Sequence, residues 1–233
     1  VEKIVDMLTA SGYTYELDGA IRFKSSELGD EKDRVLVRAN GIPTYFVPDI
    51  AYHYNKLVTR GFDKAIDIFG ADHHGYIPRM KAALTALGVD PDRLDIVIMQ
   101  MVNLVKDGEK YKLSKRSGKA ITLSTLLDEI PIDAARFFFN LREPNSHFDF
   151  DLDLAVEKSS QNPVYYVQYA HARICSLLTN LKNEGFEAAS YDKKELDILD
   201  KPQETELIRH LASLPGEIDN AAKTYDPSRI TKY

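Results

Sequence analysis

The 233-residue sequence contains a single cysteine, Cys175. One thiol excludes an internal disulfide and a cysteine-rich zinc site, and it fits a reducing cytoplasm. No apolar run approaches the roughly 20 residues needed to cross a bilayer, so no membrane partner is expected. The opening Val1-Glu2-Lys3-Ile4-Val5-Asp6-Met7 lacks the charge-then-apolar layout of a signal peptide. Low-complexity runs and internal repeats are absent. So is a Gly-x-x-x-x-Gly-Lys phosphate loop, which disfavours a kinase. Basic residues are outnumbered by acidic ones, 30 to 36, and the net charge of −6 argues against a general nucleic-acid coat.

What is present suffices for a globular protein. Hydrophobic residues make up 44% of the chain, enough for one large or two ordinary domains with buried cores. Within the acidic background, residues 106–119 carry six basic and two acidic side chains, a local positive stretch. The chain opens inside an amphipathic helical pattern (Ile4, Val5, Leu8) and stops just after the helix-start signal Asp226-Pro227-Ser228. That pattern leads us to expect a fragment cut at both ends.

Residues 34–102 alternate short apolar runs with helical segments. Val35-Leu36-Val37 is strand-like, and Pro48 opens a helix closed by Gly61. Ile66-Asp67-Ile68-Phe69 is a second strand ending at Gly70. Pro78 starts a helix with Met80, Leu84 and Leu87 on one side, stopped by Gly88, and Ile96-Val97-Ile98-Met99 is a third strand. Such alternation is the signature of a parallel sheet with crossover helices. Before it, Gly12 and the turn Asp18-Gly19 predict a helix and a small hairpin attached to that sheet. After Leu123 the pattern reads as all-helical. Asp133 is the expected cap of a helix through Phe137-Phe138-Phe139. Asn162-Pro163 is a cap followed by proline at the first helical position, and Gly185 is the expected stop. Leu207, Ile208 and Leu211 mark a further helix. The expected fold class is α/β, a parallel-sheet domain over residues 1–160 followed by an all-α helix bundle over residues 161–233.

Three segments carry chemistry. In Lys112-Leu113-Ser114-Lys115-Arg116-Ser117-Gly118, two lysines flank a serine and a leucine. Such a loop can close over a triphosphate and neutralise charge that builds up during its cleavage; it can equally be a solvated basic loop. In Gly70-Ala71-Asp72-His73-His74-Gly75-Tyr76, the turn sits at the carboxyl end of a predicted parallel strand, where open α/β sheets place ligands. Asp72 can accept from a ribose hydroxyl or a cationic substrate, or the turn can simply cap the next helix. A metal site is disfavoured, because adjacent histidines diverge and no third ligand has suitable spacing. In Thr44-Tyr45-Phe46-Val47-Pro48-Asp49, Tyr45 and Asp49 share a face if the turn is helical. A carboxylate beside a phenol suits a guanidinium; alternatively Asp49 serves a helix's first turn and Tyr45 is core.

Together these segments, with Ile42-Pro43-Thr44-Tyr45, Asp49-Ile50-Ala51-Tyr52-His53 and Asn162-Pro163-Val164-Tyr165-Tyr166-Val167-Gln168-Tyr169-Ala170-His171-Ala172-Arg173, resemble the arginyl-tRNA synthetases of bacterial type. The likeness runs over nearly the whole chain in family order. It implies the second half of a Rossmann-type catalytic domain joined to a helical anticodon-binding domain. It also implies arginyl-adenylate formation from L-arginine and ATP with Mg2+, followed by transfer to the arginine tRNA, with tRNA generally needed for the first step. By position, Tyr45, Asp49 and His73 are expected to bind arginine. Gly70, Asp72, His73, Lys112 and Lys115 are expected to bind ATP. Lys112, Ser114 and Lys115 form the catalytic signature loop, with Lys115 meeting the leaving pyrophosphate. Tyr166, Gln168 and Arg173 are the expected tRNA contacts, and no protein-ligated metal is implied.

Leu113 stands where the family usually has methionine, a swap that preserves packing. Lys115 is retained although many family members have lost it. The His-Ile-Gly-His type signature of class I synthetases is not found in the sequence. The competing readings are a class I synthetase for cysteine, glutamate or lysine, and a non-catalytic RNA-binding relative. Cysteine selection would be expected to use zinc ligands the chain lacks, and glutamate needs a cationic pocket rather than Asp49. The expected outcome for the isolated 233 residues is no aminoacylation of tRNA. Measurable charging by that chain alone would overturn this expectation.

Overall fold

The computed structural model describes residues 2–111, 122–186 and 192–233. They form two compact units, Val1–Gln100 and Met101–Tyr233.

In the first unit, helix α1 (Glu2–Ala10) buries Ile4 and Leu8, one turn apart. Strands β1 (Thr14–Leu17) and β2 (Ala20–Phe23) form the expected hairpin. Asp18 and Gly19 both have positive φ, 53° and 72°, the backbone of a turn whose twist matches its strands. Strand β3 (Arg34–Val37) corrects an expectation: it pairs antiparallel with β2 and not with a parallel sheet. The segment from β2 to β3 holds only a short 3-10 turn, Ser25–Leu28, whereas a parallel crossover needs a dozen or more residues. Arg34 then clamps the buried Asp30 carboxylate with two hydrogen bonds of 2.7 Å.

Helix α2 (Phe46–Tyr54) continues into a π-helical turn, Asn55–Thr59, and Gly61 with φ +69° ends it. Phe46, Val47, Ile50, His53 and Leu57 face inward, leaving Tyr45, Asp49 and Tyr52 outside. Strand β4 (Ala65–Gly70), helix α3 (Tyr76–Ala86) and strand β5 (Leu94–Met99) make the expected crossover unit. The two strands run parallel in unbroken register from Ala65↔Leu94 to Gly70↔Met99. Phe23, Leu36, Val47, Ile50, Met80, Leu84 and Leu94 form one apolar core. Because strand side chains alternate, Asp67 lies on the opposite face from Ile66 and Ile68, which are 49% and 66% exposed.

In the second unit, β6 (Val102–Lys106) turns back through Asp107 and Gly108 into β7 (Glu109–Lys110). Helices α4 (Leu123–Glu129) and α5 (Ile132–Phe139) follow. Pro131 occupies the cap position of α5, and Asp133 sits inside its first turn. The reading of everything beyond Leu123 as helical is also corrected. Phe148-Asp149-Phe150-Asp151 forms strand β8 (Phe148–Asp151), parallel to β6. Its period-two alternation buries Phe150 completely while Asp149 points to solvent.

Beyond it the described residues form helices α6 (Leu152–Val156), α7 (Pro163–Asn183), α8 (Lys193–Leu196), α9 (Pro202–Thr224) and α10 (Ser228–Lys232). The Asn162 side chain accepts from the Val164 N–H at 3.0 Å, and Pro163 takes the first helical position, as expected. Cys175 is exposed on α7.

Phe150 stacks on Phe138 at 5.1 Å and on Phe148 at 5.9 Å and meets Phe139 edge-on at 5.2 Å. Phe150→Ala is expected to destabilise the second unit by about 3–5 kcal/mol. Urea denaturation followed by circular dichroism checks this, and a loss below about 1 kcal/mol would contradict it.

Candidate active site

The geometry is built around the carboxyl end of β4. Gly70 leaves the strand into a 3-10 turn, Ala71–His73, and α3 begins at Tyr76. Gly70 has an ordinary extended backbone, φ −68° and ψ 159°, and a Cβ there would lie 2.9 Å from Asp72 Oδ1, the end of an exposed side chain that would have to swing aside. The Asp72 carboxylate then meets His73 Nδ1 at 3.1 Å. Both remain open to solvent, with side chains 81% and 53% exposed.

Tyr76 connects this turn to α2. Its hydroxyl donates to Asp49 Oδ2 at 2.5 Å. Its ring is held edge-on by Phe46 at 6.1 Å, Phe69 at 5.8 Å and His73 at 6.5 Å. Burial, and then the Asp49 contact, push the Tyr76 phenol well above its ordinary range, so it stays a donor.

Beneath Asp49 lies a second polar layer. Asp67 is a carboxylate inside a strand, with its side chain only 10% exposed. His53 Nε2 faces its Oδ2 at 2.5 Å, and Lys56 Nζ donates to Oδ1 at 2.8 Å. The other ring nitrogen of His53, Nδ1, faces the backbone carbonyl of Asp49 at 2.8 Å. Burial alone would raise the Asp67 carboxyl, but the contacts from His53 and Lys56 outweigh it and hold it below the ordinary range.

The structure thus joins three of the expected site residues through Tyr76 and one turn: Asp49, Asp72 and His73. Gly70 immediately precedes that turn. Tyr45 stands at the start of α2, 88% exposed, which removes the reading of it as core. Lys112, Ser114 and Lys115 lie outside the described residues. Tyr166, Gln168 and Arg173 lie on α7 in the second unit. There Gln168 donates to Asp133, the Arg173 guanidinium lies 5.8 Å from the Tyr169 ring, and Tyr166 is exposed. Among the described residues, no group of three or more histidine, cysteine or acidic side chains is placed to hold a metal. Nor is any helix of the described residues long and apolar enough to cross a membrane.

Sequence reasoning did not single out the roles of Tyr76, His53, Lys56 and Asp67. The available signal was the aspartate inside Ile66-Asp67-Ile68-Phe69: a charge on the buried side of a strand needs partners.

Residues 1–176 match the family described as class I (R) tRNA synthetases, catalytic domain, and residues 167–233 match the DALR anticodon binding domain. The chain is 56% identical to an arginine–tRNA ligase of Acetivibrio thermocellus, covering 100% of this chain and 41% of that protein. It is 54% identical to one of Caldanaerobacter subterraneus, covering 100% and 42%. It therefore spans about two fifths of the length of these curated relatives. The solved structure of Thermus thermophilus arginyl-tRNA synthetase shares the fold, with a TM-score of 0.80 at 21% identity over 100% of this chain and 47% of that one.

The depressed Asp67 carboxyl makes a pH prediction. Its ordinary value is 3.8 and its folded value lies lower, so its stabilisation is complete above the ordinary value. That stabilisation is lost as pH falls through the ordinary value and on through the folded one. The stability gap between the parent protein and Asp67→Asn should be constant from about pH 6 to pH 5 and shrink below about pH 4. Chemical denaturation at each pH checks it, and a gap that widens in acid would refute the assignment.

Proposed function

The chain belongs to the arginyl-tRNA synthetase family of class I aminoacyl-tRNA synthetases, and from this we propose that the protein containing it charges the arginine tRNA with L-arginine. The arginine carboxylate attacks the α-phosphorus of MgATP, giving arginyl-adenylate and pyrophosphate. A ribose hydroxyl of the tRNA's terminal adenosine then takes the arginyl group and releases AMP. The observation that carries this reading is the exposed Asp49 carboxylate, fixed by Tyr76 beside the turn at the end of β4.

In this reading Asp49 pairs with the guanidinium, which can engage a carboxylate through two parallel hydrogen bonds. Tyr45, on the same open side of α2, flanks the substrate side chain. Gly70, Asp72 and His73 line the space between amino acid and adenosine. Lys112, Ser114 and Lys115 serve the phosphates, and Lys115 stabilises the leaving pyrophosphate. Tyr166, Gln168 and Arg173 contact tRNA, and the division into catalytic and anticodon-binding parts falls near residue 160. A translation enzyme of this kind works in the cytoplasm.

The test is aminoacylation by the protein of the full parent gene, with total tRNA and a panel of labelled amino acids. Arginine alone should be charged. Asp49→Ala should lower kcat/KM for arginine by about 10²- to 10³-fold, since it leaves a bound cation without its partner. Lys115→Ala should lower kcat by about 10²-fold. Charging of another amino acid would refute the pocket reading, and no charging at all would point to a non-catalytic RNA-binding relative.

A further inference from the structure

We propose that Tyr76 is the positioning residue that presents the Asp49 carboxylate to a guanidinium. This rests on the reading of Asp49 as the substrate's partner and names the residue on which that pairing depends. An aspartate on the open side of a helix rotates about two side-chain torsions, and a two-point pairing needs both oxygens in one plane facing the ligand. Among the described residues, the Tyr76 hydroxyl is the hydrogen-bond donor to that carboxylate, at 2.5 Å from Oδ2. It fixes one oxygen and leaves Oδ1 and the remaining lone pairs for the substrate.

The anchor is itself immobilised. Phe46 comes from the same helix as Asp49, Phe69 from the end of β4, and His73 from the turn that follows β4, and each meets the Tyr76 ring edge-on. The Arg79 guanidinium lies 5.5 Å from the same ring and 4.0 Å from the buried Asp30. Its Nε is buried with no hydrogen-bond partner, so this cation is held by the ring and by charge. A phenol wedged on three sides, with its hydroxyl directed at a solvent-facing carboxylate, has more packing than a surface hydrogen bond requires. The arrangement reduces the ordering that substrate binding must otherwise bring about.

The test uses the full-length protein with Tyr76→Phe, which keeps the ring contacts and removes only the hydroxyl. KM for arginine should rise about five- to twentyfold, with kcat and KM for ATP within about twofold and the thermal midpoint nearly unchanged. Tyr76→4-aminophenylalanine, which restores a donor at the same position, should bring the arginine KM back toward the parent value. A merely structural role would instead lower kcat, raise both KM values together and resist rescue. That outcome would overturn the inference, as would an unchanged arginine KM in Tyr76→Phe while Asp49→Asn raises it. If Asp49→Asn itself leaves arginine KM unchanged, the underlying pocket reading fails, and this inference fails with it.

Discussion

The first unit depends on how one buried charge is compensated. Asp67 stands on the inner face of β4, where an unpaired carboxylate would be costly. Lys56 and His53 meet its two oxygens from the last turns of one helix. The compensation therefore fixes a distance between strand and helix. Because His53 also holds the backbone carbonyl of Asp49, the residue that faces solvent is tied to the residue that faces inward. Apolar packing alone would tolerate small slides of α2 over the sheet, since dispersion is non-directional. Hydrogen bonds of 2.5 to 2.8 Å tolerate far less.

Legibility from sequence followed the range of the forces involved. Local signals read true. The positive-φ pair Asp18-Gly19 marks the hairpin, Asn162-Pro163 marks the start of α7, and Gly61 and Gly88 mark helix ends. Each is decided within about four residues of chain. The errors came where partners lie farther apart. Val35-Leu36-Val37 announces a strand but not its neighbour, which the short segment behind it decides. Phe148-Asp149-Phe150-Asp151 carries a period-two pattern too brief to stand out between helical stretches, and its pairing with β6 bridges more than forty residues of sequence.

The candidate site divides in the same way. Gly70, Asp72 and His73 were legible because a strand end followed by a polar turn is a local pattern. Asp49 was legible through its helical spacing from Tyr45 and through family likeness. Tyr76 was visible only as a letter in a motif, because its role depends on a contact with a residue 27 positions earlier. Lys56 and His53 likewise acquire meaning only when Asp67 is brought beneath them. A single sequence names the polar groups of a candidate site more readily than the groups that hold them in place.

Cys175 has a practical consequence. It is the sole cysteine of these 233 residues, and its sulfur is open to solvent on the longer stretch of α7. A thiol-reactive fluorophore or spin label added to this chain attaches at that one position without any engineered substitution. The label would sit one turn beyond His171, whose ring nitrogen lies 3.5 Å from the Cys175 sulfur, and would report changes on that face of α7.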